Sequence, residues 1–324
     1  MTGLPEISIV VPLFNERENL AILYEQLSRV LEEVGKPYEI LFVDDGSTDG
    51  SLEELRRIRQ ESPQVRLFSF RRNLGKSLAL ALGFQEARGR VIITLDADLQ
   101  DDPIEIPRFL DMLARGYDLV SGWRRSRQDP GLKKFLSRIF NWVTSRISGL
   151  PLHDFNCGFK AYRCEAVKHL ILYGSLHRYI PVLLHWAGFR VGEIPVRHHR
   201  RRFGHSKFGV ARLWQGFFDL LVAIFLNRFT SHPLHLFGWL GLGTLLAGLG
   251  ISAYLSVLWC LGRGPIGTRP LFTLGILLII VGIQFISLGL LAEMIVYFHV
   301  QGDQKNNREL LRMYLREEEE PWSV

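Results

Sequence analysis

Two apolar runs constrain this chain more than any other feature. Leu234 to Leu261 contains no Asp, Glu, Lys or Arg, and neither does Leu271 to Ala292. Each exceeds the roughly 20 residues that a helix needs to cross the hydrocarbon of a bilayer. The alternative is a pair of buried core helices, but these rarely run so far without a charge. The connection from Gly262 to Pro270 is short and full of Gly and Pro breakers. The runs therefore read as a transmembrane hairpin with spans at 234–261 and 271–298, in which the small residues Gly243 and Ala247 would let the helices approach. Two spans return the chain to the side it left. Arg228 precedes the first, and Lys305, Arg308, Arg312 and Arg316 follow the second, against Arg263 and Arg269 in the loop between. That bias predicts a multi-pass protein of the cell (inner or plasma) membrane with a cytoplasmic N-terminal domain and tail. Met1–Glu6 lacks the basic-then-apolar pattern of a signal peptide.

Residues 1–232 have the composition of a soluble α/β protein. β-type runs at Ile7–Pro12, Tyr38–Val43, Val65–Phe70, Arg90–Leu95 and Asp118–Ser121 alternate with helical patterns at Asn15–Val34, Leu52–Gln60, Ser77–Ala87 and Ile104–Arg115. This alternation predicts a mostly parallel sheet with helices on both faces. Ligands of such sheets bind beyond the carboxyl ends of the strands. The polar clusters fall there: Asn15-Glu16, Asp44-Asp45, Arg71–Lys76 and Asp96–Gln100.

The last cluster carries the most chemistry. Continued extended chain after Val91-Ile92-Ile93 would point Asp96, Asp98 and Gln100 the same way. Two carboxylates and an amide oxygen suit a hard divalent cation, Mg²⁺ or Mn²⁺, that also carries phosphate. Alone, the cluster reads equally well as an acidic turn. Asp101 and Asp102, before Pro103, read as caps of the next helix.

Two phosphate motifs are excluded. Gly75-Lys76-Ser77 resembles the end of a Walker A loop, but Phe70 stands where its first glycine belongs. No GxGxxG follows the first strand. Cys157, Cys164 and Cys260 show no metal-site spacing and fit reduced thiols. The net charge of +6 suits an anionic partner, lipid headgroups or phosphates. Two amphipathic segments, Lys133–Ile147 and Val210–Phe229, read as interfacial helices or as helices packed on the sheet, the second more as interfacial because it leads into a span.

Taken in order, Ile9–Glu16, Val43–Gly50 and Asp96–Pro103 resemble family 2 glycosyltransferases of the GT-A fold. Asp154–Lys160 and Arg201–Lys207 narrow the resemblance to polyprenyl-phosphate glycosyltransferases, the group of bactoprenol glucosyltransferases and dolichol-phosphate mannose synthases. It spans about residues 5–300. It implies a GT-A domain at 1–208, with 133–149 as a candidate interfacial helix, a juxtamembrane amphipathic helix at 209–232, the hairpin within 233–300 and a cytoplasmic tail at 301–324. It also implies inverting transfer of one sugar, glucose from UDP-glucose first and mannose from GDP-mannose second, to a polyprenyl phosphate such as undecaprenyl phosphate. The partners implied are the nucleotide sugar, the lipid phosphate and the membrane, without nucleic acid and with room for a homo-oligomer.

By the same resemblance, Pro12, Phe14, Asn15, Glu16, Asp44, Asp45, Arg71, Asn73, Lys76, Asp96, Ala97 and Asp98 form the donor site. The metal ligands would be Asp96, Asp98 and Gln100, with Asp98 also counted as catalytic. Arg124, Arg201, Ser206 and Lys207 would grip the acceptor phosphate and the diphosphate, as arginine suits. Asp154 matches the residue taken as general base. A phosphate nucleophile with a second pKa of about 6 needs little proton abstraction, so orienting the acceptor and stabilising charge at the sugar stand as alternatives to that catalytic role. A processive polysaccharide synthase would carry QxxRW and more spans, and neither is present. A catalytically silent scaffold predicts damage to Asp96, Asp98 or Asp154, and all three stand intact.

Overall fold

The computed structural model describes residues 4–125, 131–168, 170, 172, 174, 176–199, 233–262, 265, 270–301 and 315–317. The chain divides into two compact units, Met1–Ala223 with Arg308–Val324, and Ile224–Asn307.

The first unit is built on β1 (Ile7–Leu13), β2 (Tyr38–Asp44) and β3 (Val65–Phe70), whose residues are almost all buried. Continuous apolar strands of this kind belong in a parallel sheet covered on both faces. The other strands are β4 (Val91–Thr94), β5 (Leu119–Trp123), β6 (Lys160–Arg163), β7 (Val191–Pro195) and β8 (Leu315–Glu317). Their order is β7-β5-β6-β4-β1-β2-β3-β8. β1 runs parallel to both β2 and β4, and β5 runs parallel to β7. β6 is antiparallel to both its neighbours, and β8 is antiparallel to β3. The sheet is therefore mixed but mostly parallel. The strand order reverses direction at β1, which opens a crevice between the carboxyl ends of β1 and β4.

Helices α1 (Arg17–Val34), α2 (Ser51–Glu61), α3 (Lys76–Glu86) and α4 (Ile106–Ala114) connect the first strands. α1 buries Leu20, Leu23, Leu27 and Leu31, one stripe at helical spacing. It stops at Gly35, whose φ of 69° lets its N–H close on the Leu31 and Glu32 carbonyls. It starts two residues later than the apolar spacing predicts, because Asn15 takes a left-handed φ of 58°. At the opposite end of the strands, Glu39 and Arg66 form a buried pair that also ties down Ser8 and the Arg88 N–H. Arg66 also pairs with Glu86 at 3.6 Å, so it is loss of the arginine that would leave buried carboxylate charge uncompensated, a change that costs about 3–5 kcal/mol.

α5 (Gly131–Ser148) covers the segment expected as interfacial or packed on the sheet. Thr144 and Ser148 are buried, while Trp142 and Ile147 are exposed. Two short helices follow, α6 (Cys164–Val167) and α7 (Ile180–Trp186). The segment expected as a juxtamembrane helix at 209–232 lies outside the described residues.

The second unit is a pair of long helices, α8 (Pro233–Cys260) and α9 (Pro270–Gln301). Only 17% of the most apolar 18 residues of either is buried, which does not fit core helices of a soluble protein. The close contact between them is not at Gly243, where an added methyl group would meet nothing within 4 Å among the described residues. It runs through Gly241 and Gly248 of α8 against Gly282 and Gly275 of α9. A methyl group on Gly241 would lie 2.7 Å from the Gly282 carbonyl oxygen, and one on Gly248 would lie 2.7 Å from that of Gly275. Gly241 and Gly243 point almost oppositely on a helix of 100° per residue. Composition alone does not say which small-residue stripe is inside.

Candidate active site

The crevice at β1 and β4 holds a cavity. Eight of the twelve expected donor residues line it: Pro12, Phe14, Glu16, Asp45, Lys76, Asp96, Ala97 and Asp98. The other four frame it or lie beside it. Asn15 accepts from the Thr48 N–H at 2.8 Å, while its own N–H reaches Ser47 Oγ at 2.8 Å. Asp44 is buried and accepts from Ser69 Oγ and the Ser47 N–H, a structural role. Arg71 and Asn73 are exposed on the neighbouring loop.

That loop is fixed by Asp45. Its carboxylate accepts the Leu74 N–H at 2.7 Å and the Gly75 N–H at 2.9 Å. Burial raises its pKa against the pull of these bonds. The loop can pass so close only because residue 46 is glycine. Gly46 has φ 76°, and a methyl there would meet the Arg72 backbone at 2.5 Å. The motif Asp45-Gly46 thus fastens Leu74-Gly75 and presents Lys76, at the start of α3, to the cavity.

Lys76 Nζ donates to Asp96 Oδ1. Burial opposes ionisation of Asp96, but Lys76 and Arg124 outweigh it and hold the carboxyl below its ordinary range. Asp96 also rests against Gly158, where a methyl would lie 2.7 Å from its carboxylate atoms.

The extended run expected through Gln100 ends early. β4 stops at Thr94, residues 97–98 form a turn, and Leu99 adopts a left-handed φ of 58°. Asp98 Oδ1 accepts the Gln100 N–H at 3.2 Å, and the Gln100 side chain donates to the His199 carbonyl. Asp96 and Asp98 share the cavity wall, and Gln100 is not among its lining residues. Two carboxylates are the donor set with which Mg²⁺ or Mn²⁺ is held when substrate phosphates and water complete the shell, so the residues present fit such an ion. Asp102 caps the following turn through the Ile104 N–H, as expected. Asp101 does not cap: it is buried beside His198, and the two residues form a backbone bridge. His198 and His199 lie along this acidic loop.

A second cluster adjoins Asp96. Asp154 is 3% exposed and accepts a two-pronged bond from Arg124, Nε to Oδ2 at 2.7 Å and Nη2 to Oδ1 at 2.9 Å. The Asn156 N–H adds a third at 3.1 Å. Burial lowers the Arg124 pKa, but Asp154 more than compensates and raises it. Arg124 is the one member of the expected acceptor-binding set within the described residues. Arg201, Ser206 and Lys207 lie outside them.

Several neighbours were not foreseen in the sequence. Lys160 is buried on β6 and donates to the Phe155 and Cys157 carbonyls, bracing the Asp154 loop from inside. Burial pushes its pKa down to about 8. His177 bonds Ser77 Oγ at 2.8 Å, and burial together with Lys76 drives its pKa well below the usual value, leaving a neutral imidazole. Glu193 of β7 accepts from the backbone of His153 and Asp154. The only signal pointing to Lys160 was its place within Asp154–Lys160; His177 and Glu193 sit in no motif.

Residues 8–171 match the family Glycosyl transferase family 2. Over 309 residues the chain is 38% identical to a dodecaprenyl-phosphate galacturonate synthase of Rhizobium johnstonii, covering 93% of this chain and 91% of that protein. It is 36% identical over 292 residues to an undecaprenyl-phosphate 4-deoxy-4-formamido-L-arabinose transferase of Edwardsiella ictaluri, covering 89% of this chain and 88% of the other. Among solved structures, glucosyl-3-phosphoglycerate synthase from Mycobacterium tuberculosis, in complex with Mn²⁺, UDP and glucosyl-3-phosphoglycerate, superposes with a TM-score of 0.52. That match is 17% identical and covers 69% of this chain and 80% of that one, and it speaks for the GT-A fold alone. With its mostly parallel sheet, its acidic crevice and its apolar helix pair, the chain belongs to glycosyl transferase family 2, among the polyprenyl-phosphate glycosyltransferases.

Proposed function

We propose that the protein moves a single sugar from a uridine diphosphate sugar to a membrane polyprenyl phosphate, with its catalytic domain and tail in the cytoplasm. The observation that carries this reading is the meeting of Asp96, Asp98, Lys76 and Glu16 on one cavity at the β1–β4 crevice, with Arg124 and Asp154 next to Asp96. Galacturonate is the first sugar to test, ahead of the glucose expected from the sequence, because the galacturonate synthase aligns along 93% of this chain.

Asp96 and Asp98 would hold Mg²⁺ or Mn²⁺, which supplies positive charge against the leaving diphosphate. Lys76 adds a fixed cation beside them. Arg124, backed by Asp154, offers its remaining N–H donors to the acceptor phosphate, and Arg201, Ser206 and Lys207 belong to the same grip. Asp154 orients Arg124 rather than acting as a base, since its oxygens already accept from Arg124 and Asn156 and the ionised phosphate needs no deprotonation. Trp142 and Ile147, exposed beside Arg138 and Arg146 on α5, give that helix a face suited to the headgroup boundary.

The test supplies purified protein with Mn²⁺, undecaprenyl phosphate and radiolabelled UDP-galacturonate, UDP-glucose, GDP-mannose or UDP-4-deoxy-4-formamido-L-arabinose, and follows label into the lipid phase. Asp98→Asn should cut that label at least about 100-fold while leaving the melting temperature within a few degrees. Full activity in this variant removes the metal assignment. Absence of lipid-phase label with every donor removes the function.

A further inference from the structure

We propose that Glu193 is a positioning residue that sets the acceptor-binding arginine through the Asp154 loop; the proposal rests on the acceptor role given to Arg124 above. The Glu193 side chain is nine-tenths buried. Its carboxylate accepts the His153 N–H at 3.0 and 3.1 Å, the Asp154 N–H at 2.9 Å, and is 2.8 Å from His153 Nδ1. A buried carboxylate needs several donors to be tolerated, and here the backbone of one short loop supplies most of them. In return the loop is pinned at the residue whose side chain clamps Arg124.

The sheet closes the circuit. Glu193 of β7 stands opposite Ser121 of β5 in a parallel ladder, and Arg124 follows directly on the end of β5. The same ladder thus sets the origin of the guanidinium and of the carboxylate that steadies its partner. The guanidinium is set from two directions, by its place at the end of β5 and by the pinned Asp154 loop. Arginine has five N–H donors, and two of them are used on Asp154. A small rotation of the loop would re-aim the rest, and misplacement by about 1 Å is costly at a reacting centre.

Glu193→Gln keeps the shape but replaces one accepting oxygen with a donor that faces donors. It is expected to raise KM for undecaprenyl phosphate about tenfold, with KM for the nucleotide sugar and the affinity for UDP changed less than twofold. A residue that merely holds the fold would move both sets together with the melting temperature. The decisive measurement is a double-mutant cycle with Arg124→Lys, a variant that cannot form the two-pronged clamp. If Glu193 acts through Arg124, adding Glu193→Gln to Arg124→Lys weakens the acceptor by less than about twofold more. Where turnover falls below detection, calorimetric binding of undecaprenyl phosphate in detergent runs the same cycle. Should Glu193→Gln not fold, Glu193→Asp, one methylene shorter, enters the cycle instead and should give an intermediate, equally non-additive loss. Additive effects, or equal loss of donor and acceptor affinity, in an enzyme that transfers sugar overturn this inference alone. A wild-type protein that labels no lipid with any donor overturns it together with the function.

Discussion

At the scale of single residues, the site depends on atoms that are missing as much as on those present. Gly158 lets the Asp96 carboxylate lie flat against the Asp154 loop. Gly158→Ala should push that carboxylate aside, raising the Mn²⁺ concentration for half-maximal transfer about tenfold or more with little change in melting temperature. Titration of activity with Mn²⁺ checks this, and an unchanged requirement would show that Asp96 has room to spare. The residues legible in advance were those whose chemistry is local: Asp45 and Asp96 follow strand ends, and loops there carry ligands. Gln100 was placed beside the carboxylates by assuming extended chain, which the left-handed Leu99 interrupts. Glu193 and His177 were not legible. Each reaches the site from a distant element, Glu193 to residues 39 and 40 positions earlier and His177 to one 100 positions earlier, and no local pattern marks such a meeting.

At the scale of elements, the first five strands and the helices between them could be read from apolar periodicity, because each buries a continuous run or a single stripe. β6 and β7 escaped notice. β6 has only four residues and runs against its neighbours, so its sequence carries no alternation long enough to recognise. The hairpin was legible as two spans but not in its rotation. Gly248→Leu or Gly282→Leu should force α8 and α9 apart and lower thermal stability in detergent by several degrees, whereas Gly243→Leu should be tolerated. Melting curves of the three variants decide the rotation, and equal losses would refute it.

At the scale of the whole molecule, the tail is the informative part. Leu315–Glu317 pairs with β3, Phe70 opposite Leu315 and Ser69 opposite Glu317, although two long apolar helices separate these residues in sequence. A strand of the sheet cannot be on the far side of a membrane from the rest of it. With that shared side the cytoplasm, as proposed, a fluorescent protein fused after Val324 should glow, and alkaline phosphatase fused at the same point should stay inactive, in cells that expose only the cytoplasm to reducing conditions. The opposite pattern would overturn the cytoplasmic topology. β3 would otherwise be an open edge, ready to pair with another chain. Ribosomes emit the hairpin before residue 315, so that edge stays bare until both helices have been made. The nascent domain thus passes through the synthesis of both helices with one seam unsealed.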